Sequence, residues 1–174
     1  MMPNAKANRI IIIAGMLLVL AVINGAIWQK ERHLALGEIV YLELAPVDPR
    51  SLMQGDYMAL NFAITGRIQA TLNHESNFPN ARNGHVVVRL DDQYIAHFLR
   101  LDDGSPIGDQ ERRLQYRLRN GHVRFATNAF FFQEGHAERY QPARYGQFRI
   151  NDQGSPLLVA LYDSELQPLG SLAR

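Results

Sequence analysis

Hydrophobic and polar positions alternate in two different ways along this chain, and the change falls near residue 37. Ile10–Trp28, IIIIAGMLLVLAVINGAIW, runs for nineteen residues without a charge. As a helix it would extend about 28 Å at 1.5 Å per residue, close to the thickness of a bilayer's hydrocarbon core. Asn24 is its one strongly polar member, Gly15 and Gly25 are compatible with a membrane helix, and Trp28 closes the run where an amphipathic ring favours the interface. The run exceeds the roughly 7–15 apolar residues of a cleaved signal peptide, and Ile23-Asn24-Gly25-Ala26 offers no small-x-small cleavage site. The pattern therefore predicts a transmembrane signal anchor, and a short polar helical continuation over Gln29–Leu36 that ends near Gly37.

Beyond Gly37 the apolar runs are short, alternate with period two and are divided by turn residues. Glu38–Leu44 reads as a strand. Tyr57–Gln69 has a strand-like pattern in which Tyr57, Ala59 and Asn61 face opposite to Met58, Leu60 and Phe62. Asn73–Arg82 is polar, holds a proline and is expected to be a loop. Further strands are expected at His85–Leu90, Tyr94–Arg100, Arg112–Arg119 and His122–Ala126, separated by Asp91-Asp92, Asp102-Asp103-Gly104 and Asn120-Gly121. Asn120-Gly121 is the strongest hairpin signal, because a type I′ turn needs positive φ at both central residues. Phe148–Ile150 and Leu157–Tyr162 flank a second hairpin at Asn151–Ser155. Arg82-Asn83-Gly84-His85-Val86 recurs as Arg119-Asn120-Gly121-His122-Val123, which reads as turn chemistry used twice. The fold class expected is mainly β: a single N-terminal transmembrane helix followed by an antiparallel β-sandwich or open-barrel domain with one or two short helices. The segments are a tail at 1–9, the anchor at 10–28, a juxtamembrane linker at 29–37 and an extracytoplasmic β-rich domain at 38–174.

Pro46–Phe62, PVDPRSLMQGDYMALNF, is the densest stretch of local specification. Asp48 is a good N-cap and Pro49 suits the first helical position, so Arg50–Gln54 is expected to make a short helix stopped by Gly55 as its C′ residue. Asp56 is expected to be a structural acid, accepting backbone N–H groups or pairing with Arg50.

Gly55-Asp56-Tyr57-Met58-Ala59-Leu60-Asn61-Phe62 reads Gly-Asp-Tyr-x-x-Leu-x-Phe. With the preceding Pro-Val-Asp-Pro-Arg-Ser-Leu it resembles the GDYXXLXY family of bacterial membrane-anchored proteins. Phe62 stands where the family has Tyr and lacks that residue's hydroxyl. Downstream, Phe130-Phe131-Phe132-Gln133-Glu134-Gly135, Ala143-Arg144, Gly154 and Leu157–Leu161 are similar to the family's aromatic-x-Glu-Gly segment and closing hairpin. The resemblance covers residues 38–165. It implies a single-pass protein with an extracytoplasmic domain that accompanies a multi-pass membrane protein, and it carries no catalytic residue. Asp48, Pro49, Arg50, Gly55, Leu60, Phe62 and Gly135 are the positions it marks as structural.

Composition narrows the chemistry. There is no cysteine, so disulfides and thiolate or Cys-zinc chemistry are excluded. Lys6 and Arg9 precede the apolar run; the other sixteen cations and all seventeen acids lie beyond Trp28, a balance of −1 that argues against nucleic-acid binding. Lys6, Arg9 and the amino terminus before the span, against Lys30 and Arg32 beside Glu31 after it, lean towards a cytoplasmic amino terminus. The domain beyond the span is then periplasmic, in the bacterial inner membrane.

The sharpest candidate site is Glu134-Gly135-His136-Ala137-Glu138. In an extended segment Glu134, His136 and Glu138 would share one face and could bind a divalent metal; in a helix, Glu134 and Glu138 remain neighbours and His136 turns away. Structural use outweighs both: Phe130–Phe132 end a buried strand, and a helix interrupted by Pro142 follows. Ser51 with Gly55-Asp56 is faintly similar to the segment after the nucleophile of type I signal peptidases. The matching position is Val47, and the only lysines are Lys6 and Lys30, so no Ser–Lys dyad is available. His33, His74, His85, His97, His122 and His136 are scattered without ligand spacing, and Asp102-Asp103-Gly104 lacks the bidentate Glu of a calcium loop. No catalytic residue, metal or cofactor is assigned.

The leading expectation is an accessory protein without catalysis of its own. It binds a larger, multi-pass integral membrane partner through its helix and through a surface where Asp56 and Tyr57 approach Glu134, His136 and Glu138. Asn24 with Gly15, Ala21 and Gly25 supports helix–helix contact in lipid. The alternatives are an envelope hydrolase or metal-binding enzyme using these acids and His136, and a ligand-binding groove lined by Tyr41, Tyr57, Tyr94, Tyr116 and Tyr140.

Overall fold

The structure is a computed structural model that describes residues 5–45, 53–54, 57–73, 81–125 and 127–170. The chain divides into two compact units, Met1–Leu36 and Gly37–Arg174. The first contains α1 (Ala5–Leu36), so the polar continuation belongs to the same helix as the apolar run. Arg9–Leu36 is long and apolar enough to cross a membrane, and none of its most apolar window is buried within the protein. Asn24 turns its amide back on its own helix, Nδ2 donating to the Leu20 carbonyl at 2.8 Å. The Arg32 guanidinium lies 5.6 Å from the centre of the Trp28 ring, within cation–π range.

The second unit is mainly β, and every strand pairing within its sheets is antiparallel. One sheet has the order β1 (Glu38–Glu43), β9 (Tyr145–Ile150), β10 (Pro156–Tyr162), β11 (Pro168–Leu169). A small sheet joins β2 (Met53–Gln54), β3 (Tyr57–Ala59) and β8 (Ala129–Phe131), in that order. The third has the order β5 (Ala96–Leu101), β4 (Ala81–Leu90), β6 (Glu111–Arg119), β7 (His122–Arg124). Single bridges from Tyr41 to Ile95 and from Leu44 to Phe62 stitch the sheets together. Among the described residues this unit also has two short helices, α2 (Ala63–Asn73) and α3 (Ala137–Tyr140).

One core follows from the periodicities. Val40, Leu42 and Leu44 on β1 and its end, and Leu114, Tyr116 and Leu118 on β6, are buried at every second position; Ile64, Ile68 and Leu72 on α2 are buried at every fourth. They meet in a single cluster with Met58, Leu60, Phe62, Phe125 and Phe148. Phe62 packs edge-on against Phe125 and Phe148, with ring centres 6.0 and 5.5 Å away. The family's missing hydroxyl would have to be accommodated inside this aromatic cluster.

Several expectations hold. The Asn120-Gly121 hairpin forms with φ of 51° and 74°, the left-handed pair that a type I′ turn requires. At the second hairpin Asn151 Oδ1 accepts the N–H groups of Gln153 and Ser155. The alternation at Tyr57–Phe62 is real, with Met58, Leu60 and Phe62 buried.

Others are corrected. The strand from Tyr57 stops at Ala59, and Ala63–Gln69 lies in α2, because burying Ile64, Ile68 and Leu72 together requires helical spacing. Met53–Gln54 does not close a helix: it is strand β2, paired with Met58 and Tyr57. The strand expected from Tyr94 begins at Ala96. Tyr94 has φ 62° in a turn whose Asp91 carboxylate accepts the Gln93 and Ile95 N–H groups and the His97 ring. Asn83-Gly84 is not a turn but the interior of β4, so the repeated pentapeptide is not repeated turn chemistry. Gly84 sits there under the Tyr116 ring, where a Cβ would come within 2.6 Å of the hydroxyl oxygen. The calls on Asp48, Pro49, Arg50, Gly55 and Asp56 lie outside the described residues.

Candidate functional site

Glu134, Gly135 and His136 form neither the extended face nor part of a helix; the helix expected ahead of Pro142 is present but short, and of the four residues it contains only Glu138. Glu134-Gly135 is a turn, with Gly135 at φ 81°, a backbone that side chains with a Cβ rarely adopt. The turn is closed by the His136 N–H donating to the Gln133 carbonyl at 3.1 Å, and α3 starts one residue later. Its structural product is Tyr140, which returns to pack on Phe130 and Phe132 with ring centres 5.1 and 5.2 Å away. Glu134, His136 and Glu138 are all exposed, and among the described residues no three His, Asp or Glu side chains are grouped to hold a metal ion. Tyr57 faces Phe131 across the β3–β8 pair, ring centres 5.8 Å apart, and Phe131 remains 74% exposed. The five tyrosines do not share a groove: Tyr116 and Tyr140 are in the core and Tyr41 packs edge-on against Tyr162.

Other acidic residues are likewise held by local partners. Asp102 accepts from Arg113 Nε at 2.9 Å and from the Gly104 N–H. Asp103 accepts from the hydroxyl and N–H of Ser105 and from Arg100, and these hold its carboxyl down at about 2. Burial pushes the Asp91 carboxyl up, but the bonds from His97, Ile95 and Gln93 outweigh it and hold it below the ordinary range. Glu38 forms a bidentate pair with Arg112 and raises its pKa. Burial, then Tyr41, pushes the Tyr162 phenol up. Gln147, the one buried polar side chain among the described residues, donates to the Tyr41 hydroxyl at 3.0 Å. These are braces between strands rather than converging reactive groups.

The concave feature lies elsewhere. A half-open cleft of about 480 Å³ is bounded by Ala59–Phe62, by Thr65, Gly66 and Gln69 of α2, and by residues 122–125 with Thr127 and Asn128. The second half of the Gly-Asp-Tyr octapeptide is thus one wall. Leu60, Phe62 and Phe125 form an apolar floor, and Asn61, His122, Arg124 and Asn128 supply polar groups. The walls are fastened by the Leu60 N–H donating to the Asn128 carbonyl at 2.7 Å and the Ala45 N–H to the Asn61 carbonyl at 2.8 Å. Gln69 Oε1 accepts the N–H of Val123 at 3.2 Å, occupying a donor on the free edge of β7. Among the described residues no Asp or Glu lines this cleft. The sequence marks Leu60 and Phe62 only as structural positions and His122 as one of six scattered histidines, but it carries one further signal: neither 57–73 nor 112–133 contains an acid, while together they carry six arginines.

Among known protein families, the model described as GDYXXLXY protein matches residues 19–161. No curated protein and no solved structure shows a significant match.

Proposed function

Because this chain belongs to the GDYXXLXY protein family, we propose that it is a membrane-anchored accessory protein, held in the bacterial inner membrane by α1 with its β domain in the periplasm, that binds a larger, multi-pass integral membrane partner and performs no catalysis of its own. One observation carries this reading. Within α1 the stretch Ile10–Trp28 carries no charge on any side, and none of the helix's most apolar window is buried within the protein, a surface that calls for lipid or other helices around it. Of the expected Gly15, Ala21 and Gly25, the last two share one side of this helix at a spacing of four, with Ala14 rather than Gly15 seven residues before Ala21, the pattern that lets membrane helices approach closely. Asn24 spends one amide N–H on Leu20, leaving its carbonyl oxygen and second N–H for a neighbouring helix.

Native co-purification tests the reading. Extracted in a mild non-ionic detergent at its natural expression level, the full chain should migrate with a multi-pass protein identified by mass spectrometry, and substituting Ala21 and Gly25 by Leu should weaken that association. Recovery as a lone monomer across several gentle detergents would overturn it.

A further inference from the structure

Two features of the cleft stand out. The first is Gly66, in the interior of α2, where glycine is disfavoured relative to alanine. Its φ is not in the left-handed region, and a Cβ there would meet nothing within 4 Å. What glycine supplies is the absence of a side chain on the cleft wall. The second is charge: Arg124 and His122 line the cleft, both are exposed, and neither makes an ion pair among the described residues. Departures of this kind from local consistency concentrate at functional sites.

We propose that this cleft is a docking site for an extended acidic peptide segment, one that places a carboxylate on Arg124 beside His122 and an apolar side chain on the Leu60–Phe62–Phe125 floor. A free carboxylate or phosphate would use the rim and leave the floor unfilled; a segment with Asp or Glu next to an apolar residue uses both. The proposal rests on the partner reading, the segment being a periplasmic loop or tail of the integral partner.

The test uses the full chain in dodecyl maltoside, an uncharged detergent, with fluorescein-labelled octapeptides of alternating Asp-Leu, Ser-Leu and Lys-Leu as probes. Fluorescence anisotropy should show binding of the Asp-Leu probe that falls as salt is raised, with the other two binding at least about tenfold more weakly, a difference of about 1.4 kcal/mol. Arg124→Glu should reverse the preference towards the Lys-Leu probe. Gly66→Leu should abolish binding while leaving the thermal midpoint unchanged or raised, since it replaces a helix-interior glycine in open space. Equal binding of all three probes, no Asp-Leu binding up to about 1 mM (some −4 kcal/mol), or unchanged binding by Gly66→Leu would each overturn the proposal. So would capture by phosphatidylglycerol vesicles, lost in Arg124→Glu, without peptide discrimination, which would make the cleft a lipid-headgroup site. The co-purification experiment separates this from the parent reading. If the partner is retained by both variants, the cleft is not its contact. If the wild-type chain has no partner but the Asp-Leu probe binds and Gly66→Leu blocks it, the partner reading falls and the acidic-peptide site stands.

Discussion

Asp103 shows how the neighbours of a turn residue fix its role. Its carboxylate takes the Ser105 hydroxyl at 2.6 Å and the Ser105 N–H at 3.0 Å, with Arg100 at 2.7 Å. These partners favour the charged form and hold its pKa at about 2, against an ordinary value of 3.8. Because the folded value is the lower one, the contribution to stability is present above the unfolded value and is lost as pH falls from 3.8 towards 2. Replacement Ser105→Ala removes the hydroxyl and should move the Asp103 titration towards 3.8, which carboxyl-carbon NMR can follow directly; an unmoved titration would assign the effect to the residue-105 N–H and Arg100 instead. Gly84 shows the same dependence on neighbours. In the sequence it belongs to an Asn-Gly pair; in the fold it is the one residue small enough for the Tyr116 ring to lie across β4.

Helix α2 is the element that the sequence conceals and the cleft depends on. Ala63–Asn73 holds β-branched Ile64, Thr65 and Ile68, an interior glycine and no acid in its first turn, so local propensity points to strand. It is helical because only a helix turns Ile64, Ile68 and Leu72 together into the core, and tertiary burial dominates helix stability in a segment this short. Its polar side then reaches the free edge of β7 through Gln69. Replacing Gln69 by Leu leaves the buried Val123 N–H unpaired and should lower stability by about 1–3 kcal/mol, read as a reduced urea midpoint. Gln69→Glu keeps an acceptor and should lose less. Equal losses in the two variants would show that the bond to Val123 is not what fastens β7 to α2. Of the stretch Arg50–Gln54 expected to be helical, the described end, Met53–Gln54, is instead strand β2, paired with β3.

For the whole molecule, the decisive contrast is between an apolar helix with no covering of its own and a β unit with one continuous core. The chain contains no cysteine, so a single introduced thiol reports its own environment without background. Asp152 is exposed in the turn between β9 and β10. With the domain in the periplasm, Asp152→Cys should react with a membrane-impermeant maleimide in intact spheroplasts, whereas Lys6→Cys should react only after the membrane is opened. The opposite pattern would reverse the orientation.

The sequence by itself determined what local patterns can encode. The uncharged run at Ile10–Trp28 specifies a helix able to span a bilayer, and period-two burial specifies the strands around Val40, Leu114 and Phe148. Asn120-Gly121 specifies a hairpin, and Gly-Asp-Tyr-x-x-Leu-x-Phe marks the family. Each of these depends on residues adjacent in the chain. The cleft does not: Leu60 and Arg124 are brought to it from different sheets, and Gly66 from a helix whose own propensities favour a strand. Only tertiary packing decided that α2 is helical, that Asn83-Gly84 runs straight through β4, and that Glu134–Glu138 turns Tyr140 inward rather than grouping its acids. The physical reason is the same in each case. A few kcal/mol of local preference yields to the burial of several large apolar side chains.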